Sequence, residues 1–127
     1  EHVNAIRRDN NKPVVIRKNI EDLKQSLISD IRTLQNEYKS TAIITKDTKQ
    51  AEKLYDLIKD EVNISLVDAD SKKFQKDLII IPAYTAKGLE FDSVIIYNDR
   101  SNSYKRNERN LLYVACTRCQ HELYIYN

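Results

Sequence analysis

Gly88 is the only glycine in this 127-residue chain. It stands between a cation, Lys87, and an anion, Glu90, in the run 83–92, AYTAKGLEFD. A glycine placed after a short helical turn lets the backbone reverse or approach a ligand closely. The same KG pair also reads as a plain helix C-cap before a strand, and the pattern leaves both readings open. A second run, 107–120, NERNLLYVACTRCQ, carries Arg118 near the end of an apolar helix. An arginine held at a rigid helix end presents a planar donor fork suited to phosphate. A cation there also complements the helix dipole, which explains it without a ligand.

Other chemistry is poorly supported. Cys116 and Cys119 form a C-x-x-C with His121 two residues beyond. Haem attachment needs the histidine immediately after the second cysteine. Zinc needs four ligands, and the only other histidine is His2. A redox pair of the thioredoxin type opens a helix, whereas this pair falls at a helix's far end. Packing of a buried helix is the expected role, and no metal site is expected. The eight tyrosines are scattered, not interleaved with basic residues as in a base-stacking platform. The basic loop 100–109 holds Arg100, Lys105, Arg106 and Arg109. Such a loop either contacts phosphate or a protein partner, or is simply solvated.

The elements that must position these residues follow from periodicity. Val14 to Ile16, the run TAIIT at 41–45, 63–67, LIII at 78–81, VIIY at 94–97 and 123–126 read as strands. The continuous apolar runs at 78–81 and 94–97 suit central strands covered on both faces. Ile20, Leu23, Leu27, Ile31, Leu34 and Tyr38 recur at helical spacing, with Asn19 expected as the cap. Asp47 is expected to cap a second helix, with Gln50 at the capping-box position. A third helix is expected over about 108–119, and residues 68–77 read as an exposed polar loop. Alternation of strands and helices predicts a three-layer α/β domain with a mainly parallel sheet. In such sheets ligands collect beyond the carboxyl ends of the strands, so the residues after each strand are the first suspects.

Composition bounds the rest. Apolar residues make up 41% and charged residues 31%, with 21 basic and 19 acidic side chains and a net charge of +2. That excludes a disordered polyelectrolyte and a uniformly basic histone-like binder. No apolar run reaches the ~20 residues of a membrane span. The first residues, EHVNAIRRDNN, contain no apolar signal core, so a cytoplasmic chain with no membrane partner is expected. The chain opens on Glu1, not Met, as expected for a piece of a longer protein.

Two segments together carry a family resemblance. AKGLEFDSVII resembles motif V, and NERNLLYVACTRCQHELYIY resembles motif VI, of superfamily 1 helicases of the UvrD/Rep/PcrA type. Their order and spacing match as well, and RRDNNKPVV and TAIITKDTKQAEKL fit the start of the same domain. The longer string IIIPAYTAKGLEFDSVII resembles the HelD branch most closely. Tyr84 stands where UvrD-type members carry histidine. The resemblance implies that residues 1–127 form a single domain. That domain is the C-terminal RecA-like (2A-type) lobe of a larger helicase, without the 2B insertion.

It further implies that Glu90 binds the nucleotide ribose, with Gly88 and Lys87 in the same loop. Arg118 is implied as an arginine finger on the γ-phosphate, with Glu108, Tyr113 and Thr117 in support. Tyr84 and Thr85 are implied to face single-stranded DNA. ATP and Mg2+ are implied as ligands of the full-length protein, neither held tightly by this chain. A G-x-x-x-x-G-K-[ST] loop is impossible with one glycine, and the resemblance implies that an N-terminal RecA-like lobe of the same protein is the partner that carries it. Two other readings stay open. One is a HelD-like, ATP-driven remodeller of RNA polymerase, a protein-interaction module. The other is a non-catalytic flavodoxin-like domain.

Overall fold

The structure, a computed structural model, describes residues 14–17, 21–67, 77–86, 88–97 and 117–126. Strand β1 is Val14–Arg17, helix α1 Leu23–Glu37, strand β2 Thr41–Thr45 and helix α2 Thr48–Ile58. Strands β3 (Ser65–Leu66), β4 (Leu78–Pro82), β5 (Phe91–Tyr97) and β6 (Cys119–Tyr126) follow. The six strands form one sheet in the order β1-β6-β5-β2-β4-β3. Every neighbouring pair is parallel. The α/β class with a parallel sheet is therefore as expected.

The central strands are apolar on both sides because both sides are covered. Ile43, Ile80, Ile95, Tyr124 and Tyr126 point to the face packed by Leu27, Ile31 and Leu34 of α1 and Leu54 and Ile58 of α2. Their alternates, Ala42, Ile44, Ile79, Ile81, Val94, Ile96, Leu123 and Ile125, form the opposite core. This period of two is the strand's own geometry. On that second face the segment between β4 and β5 contributes Ala83, Ala86 and Leu89. It runs from the carboxyl end of one strand to the amino end of another without a full helix. The edge strand β1 leaves Ile16 exposed.

Both described helices begin at aspartate. Asp47 caps α2 by accepting from the Gln50 amide at 2.9 Å. Gln50 does not close the expected box with Asp47. Its side-chain oxygen accepts from the Lys46 amide at 3.3 Å, one residue earlier. The cap of α1 is Asp22, accepting from the Gln25 amide at 3.1 Å, and not Asn19, which lies outside the described residues. Gln25 is the third residue of the helix, and its amide is the donor that a capping carboxylate at position 22 satisfies.

Three strand boundaries also differ from expectation. β3 is confined to two residues of the expected 63–67. β5 starts at Phe91, not Val94, and β6 at Cys119, not Leu123. Both early starts come from pairing with a neighbour, since the Phe91 amide donates to the Arg118 carbonyl at 2.9 Å. Apolar runs mark only the doubly buried middle of a strand, and its polar ends are set by hydrogen bonding. Cys119 therefore packs as a buried strand residue and not within a helix. Of the helix expected over 108–119, residues 108–116 lie outside the described residues, and Thr117 is its one described helical position.

Candidate functional site

Glu90 and Arg118 are brought together, but not where the carboxyl-end rule places ligands. Each is the residue immediately before its strand, and β5 and β6 are neighbours. The pair therefore stands at the amino edge of the sheet. The backbone bond from Phe91 to Arg118 ties the two positions directly.

That edge is braced on its β2 side. The Ser40 amide donates to Asp92 Oδ2 at 3.3 Å, and the Asp92 amide donates to Ser40 Oγ at 2.9 Å. Ser93 donates its amide to the Ser40 carbonyl at 3.1 Å, and the Thr41 and Ser93 hydroxyls share a bond of 2.9 Å. These reciprocal bonds lock the start of β2 to the start of β5. Beside Glu90, on the side away from Arg118, a cavity of about 230 Å³ opens between Ser40, Asp77, Leu89 and Phe91.

The electrostatics of Arg118 differ from those of an ordinary structural arginine. Its Nη2 donates to the neutral Thr117 hydroxyl at 3.2 Å. Its Nε is buried with no hydrogen-bond partner. Among the described residues no carboxylate pairs with it, and no ion pair joins it to Glu90. A half-buried guanidinium with an unsatisfied donor and an unneutralised charge is suited to an incoming anion. Glu90 is exposed and accepts from the Gln120 side-chain amide at 3.0 Å.

A second cluster lies on the same edge. The Tyr38 and His121 rings stack with centroids 5.6 Å apart. Tyr38 donates its hydroxyl to Glu122 at 3.1 Å, and His121 lies 3.9 Å from Asp92. Burial pushes the Tyr38 phenol up to about 12, and the adjacent Glu122 carboxylate adds to the rise.

Gly88 has φ +83°, which explains why this position is glycine. A Cβ built there meets nothing within 4 Å, so close approach to other parts of the chain is not the reason. Tyr84 and Thr85 follow β4 and so lie at the carboxyl edge. From there to Glu90 is the length of a five-residue strand, ~13 Å. Tyr84 is 48% exposed, and its hydroxyl lies 3.4 Å from that of Thr48 at the start of α2. Thr85 Oγ1 is buried without a partner. Lys87, Glu108 and Tyr113 lie outside the described residues. The residues that sequence reasoning missed are Gln120, Ser40 and Asp92. Their roles come from cross-strand neighbours at a polar strand start, which leave no periodic signal.

Among the described residues no three His, Cys, Asp or Glu side chains converge as a metal site. No helix among them is long and apolar enough to cross a membrane.

An all-parallel six-stranded sheet of this order, with two helices among the described residues on one face, defines an α/β domain of the kind a RecA-like lobe has. The chain belongs to the UvrD-like helicase C-terminal domain family, whose model matches residues 2–127. It is also similar to the C-terminal domain of a possible DNA helicase from Lactobacillus plantarum WCFS1. That crystal structure is 27% identical, with a TM-score of 0.77 over 99% of this chain and 83% of the other. A comparison with curated proteins found no match.

Proposed function

We propose that residues 1–127 form the C-terminal motor lobe of an ATP-dependent superfamily 1 DNA helicase or translocase. The carrying observation is the amino-edge pair: an exposed carboxylate, Glu90, beside a guanidinium, Arg118, that no described carboxylate neutralises. In this reading Arg118 meets the γ-phosphate of an ATP held by an N-terminal RecA-like lobe. Glu90 meets its ribose. In the same reading Mg2+ comes with the nucleotide on that other lobe. Phosphoryl transfer spreads charge over the γ-phosphate oxygens, and an arginine finger contributes ~10³–10⁵ in rate. A finger supplied by a second lobe makes hydrolysis depend on lobe closure.

Tyr84 and Thr85 are the proposed contacts to single-stranded DNA. The single segment running from them to Glu90 gives a mechanical link between the DNA edge and the ATP edge. The exposed tyrosine, in the place where UvrD-type members have histidine, favours a HelD-like parent that acts on RNA polymerase. Stimulation of the full-length ATPase by RNA polymerase and not by single-stranded DNA selects that branch.

The test of the core proposal is Arg118→Ala in the full-length protein. Stimulated ATPase falls by ~10³-fold or more, while nucleotide affinity stays within a few-fold. Weakened binding with turnover of bound ATP intact refutes the finger role. So does ATP turnover by the isolated chain that survives Arg118→Ala.

A further inference from the structure

We infer that Gln120 is a positioning residue of this nucleotide site, holding the Glu90 carboxylate in the orientation from which it meets the sugar. The inference rests on the reading of Glu90 as the ribose-binding group.

Glu90 has three side-chain torsions and is exposed, so packing does not fix it. The hydrogen bond from Gln120 Nε2 to Glu90 Oε1, 3.0 Å, is what the described residues supply to orient it. The donor is itself placed by a specific device. Phe91 pairs with Cys119 and Ser93 with Glu122, so two residues of β6 are spent against one of β5. This β-bulge sets Gln120 and His121 both opposite Asp92. A bulge re-aims side chains and often lies beside a site. Here Gln120 turns to Glu90, while His121 turns to Asp92 and the Tyr38 ring. Cys119, 3% exposed, anchors the bulge through its thiol, which donates to the Glu122 carbonyl at 2.8 Å.

The chemistry of an amide suits the role. A neutral donor leaves the carboxylate charged and leaves Oε2 unengaged, ready to accept from a sugar hydroxyl. It also holds Glu90 from swinging onto the Arg118 guanidinium, which that contact would neutralise. A lysine at 120 would compete for the carboxylate, and a glutamate would repel it.

The test uses the full-length protein and steady-state ATPase, with thermal unfolding as the check on folding. Gln120 is exposed, so its variants keep the wild-type unfolding midpoint. Gln120→Ala raises KM for ATP by about three- to tenfold with kcat within about twofold, the size of one ordinary solvent-exposed hydrogen bond. Gln120→Glu raises it further. In a Glu90→Ala background Gln120→Ala has no added effect. With 2′,3′-dideoxy-ATP, wild type and Gln120→Ala have the same KM, which a general structural lesion would not produce. If Glu90→Ala raises KM and Gln120→Ala does not, Gln120 is idle and the inference fails while the ribose reading stands. If Glu90→Ala leaves KM unchanged, the ribose reading fails and takes the inference with it.

Discussion

Replacement of Gly88 separates conformational strain from crowding more cleanly than any other substitution in this chain. The backbone φ is +83°, a conformation that L-residues adopt at a cost of about 1–2 kcal/mol. An added Cβ meets no atom within 4 Å, so there is no steric contribution to add. Gly88→Ala also restricts the unfolded chain, which returns about 0.4–1 kcal/mol. The net loss is then about 0–1.6 kcal/mol, centred near about 0.8. For a domain of this length 1 kcal/mol moves the unfolding midpoint by roughly 4 °C, so a fall of up to roughly 6 °C, centred near roughly 3 °C, is expected. Because the cost is conformational, it is nearly independent of side-chain size. Ala, Ser and Leu should lose similar amounts, and Asn should lose least because it tolerates the left-handed region. Thermal and urea unfolding of the four variants measure this directly. A loss that climbs with side-chain volume would show that a packed neighbour, not φ, selects glycine. A Gly88→Ala variant clearly more stable than wild type would refute the strain outright. Since Gly88 lies two residues before Glu90, a backbone that relaxes the strain also moves that carboxylate. Gly88→Ala in the full-length protein should therefore raise KM for ATP.

Two further outcomes test the frame around the site. The folded-state pKa of Tyr38 is raised from the ordinary 10 to about 12, so its contribution to stability is complete below pH 10. That contribution is lost as the pH rises through about 12, and urea unfolding of wild type against Tyr38→Phe should show a difference that shrinks across that window. A difference that grows with pH contradicts the assigned direction. Asp47→Ala removes the acceptor for the Gln50 amide at the start of α2 and should cost about 1 kcal/mol, read as a lower urea midpoint at constant m-value.

Much of the fold was legible along the chain because burial on two faces writes itself into composition. The runs at 78–81 and 94–97 are apolar at every position, and in the sheet their alternate residues feed two separate cores. Asp47 announced α2 because a cap needs a short acceptor at one fixed offset. The strand starts at Phe91 and Cys119 were not legible. They are defined by a partner strand distant in sequence, and a polar residue at a strand end looks like loop until that partner is known. The cap of α1 was misplaced for a related reason. Asn19 is a good cap by residue type, but the first-turn amide that is capped belongs to Gln25, three residues after Asp22.

The sequence by itself determined the class of this protein and the residue types of its site. A single glycine beside a cation and a carboxylate, and an arginine after a threonine near the end, are local patterns that survive without coordinates. Only the tertiary structure decided that Glu90 and Arg118 are neighbours on the amino edge, that Tyr84 and Thr85 lie on the other edge, and that Gln120 reaches across a bulge to Glu90. Strand order and register determine which strand starts stand side by side, and both arise from pairings between residues far apart in the chain.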